Sequence, residues 1–322
     1  LVTVGTSDRL IKQEIYDLFY GLKLVGLTNF DSVDISLDSI TSLTELEQDQ
    51  LLTSSYLYVT LDLMLKSEDS LTVPDDAKET LGNYSGMIKK TEIKSLLEVF
   101  NILGDSDPAS ISVDAITIQD LEEILALESN ILDQMISDAI EDNLTTVPTA
   151  AYNTAGTRIT RDELTKMVDA LLVLSGNDNQ QTLGGLMPID QTIFSPANVE
   201  ALLDLDSFIV YRLVSEGVID QNLHTDESLA VSGDYNYDPN AIGSDLKISE
   251  MRALVAVMNI LNITNLTDPI DVDDVTLVQL QDIHYGGLGI NPAGDEYESR
   301  IVHRIISDAV VDVLYTGDPL NA

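Results

Sequence analysis

Cysteine and tryptophan are absent from the 322 residues, histidine occurs three times, and 16 lysines and arginines stand against 55 aspartates and glutamates. Each shortage excludes something. Without cysteine there is no disulfide, no thiolate nucleophile and no Cys-based zinc site. A formal net charge of −39 repels phosphate, which excludes nucleic acid and anionic membrane surfaces as partners. Long apolar runs are missing too. The longest candidate, Leu254 to Ile263, is broken by Asn259 and Asn262, so no run reaches the ~18 residues of a membrane span and no membrane insertion is expected. No Gly-x-Ser-x-Gly elbow, P-loop or dinucleotide fingerprint occurs, so the chain is not expected to be an enzyme.

What is present is apolar material for a core: 44% hydrophobic residues and a mean hydropathy of +0.09, too much for charge-driven disorder. The chain starts at Leu1 and shows no signal peptide, which suggests a processed chain or a segment of something longer.

That material is organised in repeats. Stretches starting at Lys12, Lys90, Arg161 and Ser249 each carry a glutamate (Glu14, Glu92, Glu163, Glu250), then apolar residues three, four and seven apart. Ile93, Leu96, Leu97, Phe100 and Leu103 form such a stripe, as do Met251, Leu254, Val255, Met258 and Leu261. This is one face of an amphipathic helix, helix A. Capping residues Ser42, Thr117, Ser195 and Thr276 announce a short helix B, with Pro196 well placed for a first helical position. Helix C is the clearest match. After Ser129, Ser207 and Ser299, apolar residues recur at offsets 2, 3, 6, 7 and 11, with a small residue at offset 10: Ala139, Gly217 and Ala309. The stretch after Ser54 keeps the stripe but has Met64 at the small position. Extended, Pro-containing exits follow at Leu71 and Leu144.

The expected fold is therefore all-α: an array of four related three-helix units stacked or docked in tandem. Each unit runs helix A, acidic loop, short helix B, helix C and exit. The boundaries fall at residues 1–86, 87–156, 157–244 and 245–322, with insertions at 232–244 and a Gly-rich one at 286–298.

The A–B loops hold the candidate metal ligands. Asp31, Asp34 and Asp38 lie in the first, Asp105, Asp107 and Asp114 in the second, and Asp268, Asp271, Asp273 and Asp274 in the fourth. Calcium takes six to eight oxygens, so such loops suit it chemically. The EF-hand template fails: counted from Asp105, Ser110 stands where Gly is needed and Ile116 where Glu is needed. The competing reading is that these aspartates cap turns and solvate a loop. The third loop, with only Asp178 and Asp190, argues against a uniform site.

Other candidates have structural explanations. The repeated glutamate sits where it offsets the positive end of helix A's own dipole, and Thr160 with Glu163 reads as a capping box. His224, His284 and His303 share no ligand spacing. Gly286, Gly287 and Gly289 lack a preceding strand and a nearby cation, so a flexible connector is expected there and not a phosphate cradle.

These observations point to a non-enzymatic structural or interaction segment of a larger secreted or cell-surface protein, self-assembling end to end as a filament or surface array. Its partners would be itself, neighbouring repeats or other surface proteins. One alternative is a calcium- or cation-responsive module using the acidic loops; another is an enzyme with its site in the fourth unit. The acidity also suits the cytoplasm of a salt-adapted organism. Repeated helical bundles of this kind resemble spacer segments of large surface proteins in architecture alone.

Overall fold

The computed structural model describes residues 12–24, 40, 43–67, 71–104, 115–144, 147–186, 189, 194–218, 248–264 and 275–285. Among them the chain is all-α, with eleven α-helices and no named strand. The helices are α1 (Lys12–Leu24), α2 (Glu45–Thr53), α3 (Ser55–Ser67), α4 (Lys90–Leu103), α5 (Ile118–Ala126) and α6 (Asn130–Asn143). They continue with α7 (Arg161–Leu174), α8 (Pro196–Leu203), α9 (Phe208–Val218), α10 (Ile248–Leu261) and α11 (Leu277–Tyr285). Helices α1, α4, α7 and α10 begin within a residue of the expected helix A starts.

Two compact units share the chain. The first holds Leu1–Asn143, Arg158–Leu164 and Asn179–Gly185; the second holds Leu144–Thr157, Thr165–Asp178 and Leu186–Ala322. In the first, α1 packs on α2 and α3, α4 packs on α5 and α6, and α4 also meets α2 and α3. Leu51 and Leu52 of α2, Leu57 and Leu61 of α3, and Ile93 and Leu97 of α4 are buried in one core. In the second unit α8 packs on α9 and α10, and α10 on α11, where Ala253, Val257 and Ile283 form a small core.

Caps fix where the helices start. Thr117 accepts the Asp120 N–H at 3.1 Å while its own N–H donates to Asp120 Oδ2 at 2.8 Å. Ser195 accepts from the Asn198 N–H at 3.2 Å, ahead of Pro196, and Thr276 from the Gln279 N–H at 3.3 Å. In α2 the cap is Thr44 and not Ser42 as the sequence suggests. The reason is Glu47, three residues on, whose carboxylate receives both the N–H and the hydroxyl of Thr44, at 2.9 and 2.7 Å. Those bonds hold the Glu47 carboxyl below its ordinary pKa.

The ends of helix A use left-handed residues. Gly104 sits at φ 64°, and Asn177 and Asn262 at 68° and 60°. Asn177 N–H reaches back to Leu172 O at 2.8 Å, and Ile263 N–H to Met258 O at 2.9 Å, closing the last turn. Beyond α3 the exit runs extended through Val73 and Pro74, then forms a 3-10 turn at Asp75–Ala77. A single antiparallel bridge, Lys78 to Ile88, returns the chain to α4. The exit after α6 repeats the 3-10 turn at Thr149–Ala151, and Ala77 and Ala151 are both fully buried.

Candidate functional site

The chemistry-bearing side chains buried in the first compact unit gather where helices meet. Serine caps α3, α6 and α9: Ser54, Ser129 and Ser207 are buried and accept from the N–H three residues on, at 3.4, 3.3 and 3.2 Å. At the second of these caps a carboxylate joins. Glu92 of α4, only 5% exposed, accepts from Ser129 Oγ at 2.5 Å, from the Asn130 and Ile131 N–H groups at 3.2 and 3.3 Å, and from Asn130 Nδ2 at 3.1 Å. The glutamate expected to cap its own helix instead caps α6, the third helix of its segment. Its charge faces the free N–H groups and positive dipole end of that helix.

Asn130 passes the network on. Its Oδ1 and backbone carbonyl accept from Arg158 at 2.8 and 3.3 Å, and the same guanidinium holds Asp76 through two bonds of 3.2 and 3.0 Å. Asp76 and Arg158 lie in the two exits, so one planar cation ties both to the start of α6. Next to it, Arg161 grips the buried Asp133 of α6 with Nε and Nη2, at 3.1 and 2.8 Å. This bond raises the Arg161 pKa above its ordinary value.

A second contact recurs at one register of helix C, eight residues after the capping serine. In α3 that residue is Asp62, 4% exposed, whose Oδ1 accepts the Ile88 N–H at 2.7 Å. In α6 it is Ser137, fully buried, whose Oγ accepts the Ile159 N–H at 2.9 Å. Each donor stands two residues before the next helix A, and each holds the entry to that helix. Ser215, also fully buried, takes the same register in α9. Sequence reasoning missed this position because an aspartate and a serine fill one acceptor role. A polar residue recurring inside the apolar stripe was the available signal. The small residue at offset 10 is less telling, since Ala139 is only half-buried.

Around Asp62 the join is aromatic and cationic. Tyr58 donates its hydroxyl to Ile88 O and meets the Tyr84 ring edge-on at 5.3 Å between centroids. Lys90 lies over the Tyr58 ring at 5.0 Å and donates to Leu52 O at 2.6 Å. Burial pushes the Tyr58 phenol up, with Glu79 and Asp62 adding to it, and burial lowers the Lys90 ammonium pKa against the opposing charge of Glu79.

None of these groups forms a reactive constellation. The buried carboxylates Glu92, Asp62 and Asp133 each hold backbone or side-chain donors in place. In the second compact unit a cleft lined by Leu202, Leu203, Asp206, Tyr211 and Ile248 measures about 30 Å³, room for one water. All ten aspartates expected as calcium ligands (Asp31, Asp34, Asp38, Asp105, Asp107, Asp114, Asp268, Asp271, Asp273 and Asp274) lie outside the described residues. So do His224, His303, the insertions at 232–244 and 286–298, and the side chain of His284. Among the described residues no cluster of three or more metal-ligating side chains occurs, and no helix is long and apolar enough to cross a membrane.

Among the described residues the chain is all-α, and the buried carboxylates Glu92, Asp62 and Asp133 hold helix starts and the segments that lead into them. Compared with known proteins, the chain matches no family model, no curated protein and no solved structure.

Proposed function

We propose that the chain is a tandem array of four related three-helix copies, serving as a non-enzymatic structural or interaction segment of a secreted or cell-surface protein. The observation that carries this reading is the use of the buried polar groups. Glu92 joins helices A and C of one copy, while Asp62 and Ser137, at one register, hold the start of the next copy. Polar side chains committed to joints between copies are what a spacing element needs. The same arrangement presents repeated outer faces on which partners, including further copies of this chain, can dock.

Native-state hydrogen exchange on the full chain tests the reading. In a tandem array the amides of one copy's three helices share one opening free energy, and neighbouring copies differ in steps. A single opening free energy across all the described helices would contradict it.

A further inference from the structure

Four asparagines of the chain are followed by a residue other than proline and then by serine or threonine. The triplets are Asn83-Tyr84-Ser85, Asn143-Leu144-Thr145, Asn262-Ile263-Thr264 and Asn265-Leu266-Thr267. Such a triplet is the acceptor for an N-linked oligosaccharide, which needs an accessible surface turn. The last triplet lies outside the described residues, as do Thr145 and the side chain of Asn143. The triplets at Asn83 and Asn262 are fully described, one in each compact unit.

Asn83 stands at the tip of the segment that doubles back between Lys78 and Ile88. Glu79 N–H donates to Met87 O and Gly86 N–H to Glu79 O, both at 2.7 Å. Between them lies a 3-10 turn, Gly82–Tyr84, closed by Ser85 N–H to Gly82 O at 3.4 Å. Tyr84 anchors this turn: its ring meets Tyr58 and its hydroxyl lies 2.7 Å from Ser55 Oγ. Asn83 and Ser85, on either side of it, are exposed. A Cβ added at Gly82 or Gly86 would meet nothing within 4 Å, so the space beside the turn is open.

Asn262 follows α10 in the left-handed conformation, φ 60°, which asparagine tolerates better than most side chains. Its N–H donates to Asn259 O at 3.2 Å, and Ile263 N–H to Met258 O at 2.9 Å. Asn262 and Thr264 are exposed while Ile263 between them is half-buried. The two triplets thus share one arrangement, an anchored middle residue with the amide and the hydroxyl turned to solvent. Asn101 is a contrast. It is exposed too, but it sits inside α4, donates its Nδ2 to Glu98 at 3.1 Å and is followed by Ile102 and Leu103.

We propose that Asn83 and Asn262 are N-glycosylation sites, at which each Nδ2 takes an oligosaccharide from a lipid-pyrophosphate donor. The bond from nitrogen to the anomeric carbon forms as that carbon's bond to the phosphate oxygen breaks. The lipid pyrophosphate leaves, and a base of the transferase takes one amide proton. The inference rests on the secreted or cell-surface reading, because such transfer acts on chains that leave the cytoplasm. It gives that surface a bulky, hydrated group at one turn of each compact unit.

The test is glycopeptide mass spectrometry of the full chain from the cells that make it, with medium and cell surface analysed apart from cytoplasm. The expected result is sugar on both Asn83 and Asn262 of the chain outside the cytoplasm. Ser85→Ala removes the hydroxyl and leaves the asparagine, so Asn83 loses its sugar while Asn262 keeps its own. Ser85→Thr keeps both. Thr264→Ala gives the converse loss and leaves the left-handed asparagine in place. Both hydroxyl residues are exposed, so the variants keep wild-type helicity by circular dichroism. A chain outside the cytoplasm with bare Asn83 and Asn262, or with sugar at Asn143 or Asn265 alone, overturns the inference and leaves the secreted reading standing. A chain confined to the cytoplasm overturns both. Sugar that stays on Asn83 in Ser85→Ala also overturns the inference.

Discussion

Replacing Glu92 by alanine separates two roles for the repeated glutamate by magnitude. A carboxylate that only offsets its own helix dipole at an exposed first turn contributes about 0.3–1 kcal/mol. The buried Glu92 instead accepts four hydrogen bonds from the start of α6, two of them from backbone N–H groups. Hydrogen bonds to a charged group contribute about 1.5–3 kcal/mol each, and an orphaned buried donor costs about 1–3 kcal/mol. The four are not additive: Ser129 still caps Leu132, and Asn130 keeps Arg158. We therefore expect Glu92→Ala to cost about 3–5 kcal/mol, and Glu92→Gln about 2–3 kcal/mol because the amide keeps an acceptor while losing the charge. Urea unfolding followed by circular dichroism measures the cost. Exchange of the Ile131 and Leu132 amides shows whether it falls on α6. A loss under about 1 kcal/mol for alanine, or one confined to the first turn of α4, would refute the reasoning.

Four further outcomes are expected. Asp62→Leu orphans the Ile88 N–H and costs about 2–3 kcal/mol, whereas Asp62→Ser, which installs the residue α6 uses at that register, loses less than half as much in the same urea assay. At Gly21 of α1 an added Cβ would lie 2.1 Å from Leu57 Cδ1, so Gly21→Ala costs about 1–3 kcal/mol by thermal melting despite alanine's better helix propensity. Folding raises the Tyr58 pKa, so above about pH 10 the unfolded chain gives up a proton the folded one keeps, and stability falls as pH rises; Tyr58→Phe flattens that fall in urea titrations from pH 9 to 11, after costing about 1–2 kcal/mol at neutral pH for the lost bond to Ile88. Added salt raises the melting temperature by screening the −39 charge, and calcium and magnesium at equal ionic strength raise it equally; a calcium-specific rise would make the acidic A–B loops binding sites.

How much of this was legible follows from the range of each interaction. Helix starts and caps are local, and the sequence placed them closely, at Thr117, Ser195 and Thr276, because the capping partner lies three residues away. Ser42 was misplaced against Thr44 because both are hydroxyl residues ahead of an apolar stretch, and only the reach of Glu47 decides between them. The partner of Glu92 is Ser129, far along the chain, so a local reading assigns its charge to the nearest helix end. The Arg158–Asp76 pair spans still more sequence and leaves no periodic trace. The entry latch at Asp62 and Ser137 was hidden by a change of residue type, though not of role.

The central claim is that the chain is built of four like copies joined in series. Pulling single full-length molecules from both ends tests it most directly. At ~3.5 Å per extended residue, copies of about 70–90 residues release about 25–30 nm each, and the account predicts four such events of similar size. One or two large events carrying the whole contour length would contradict it.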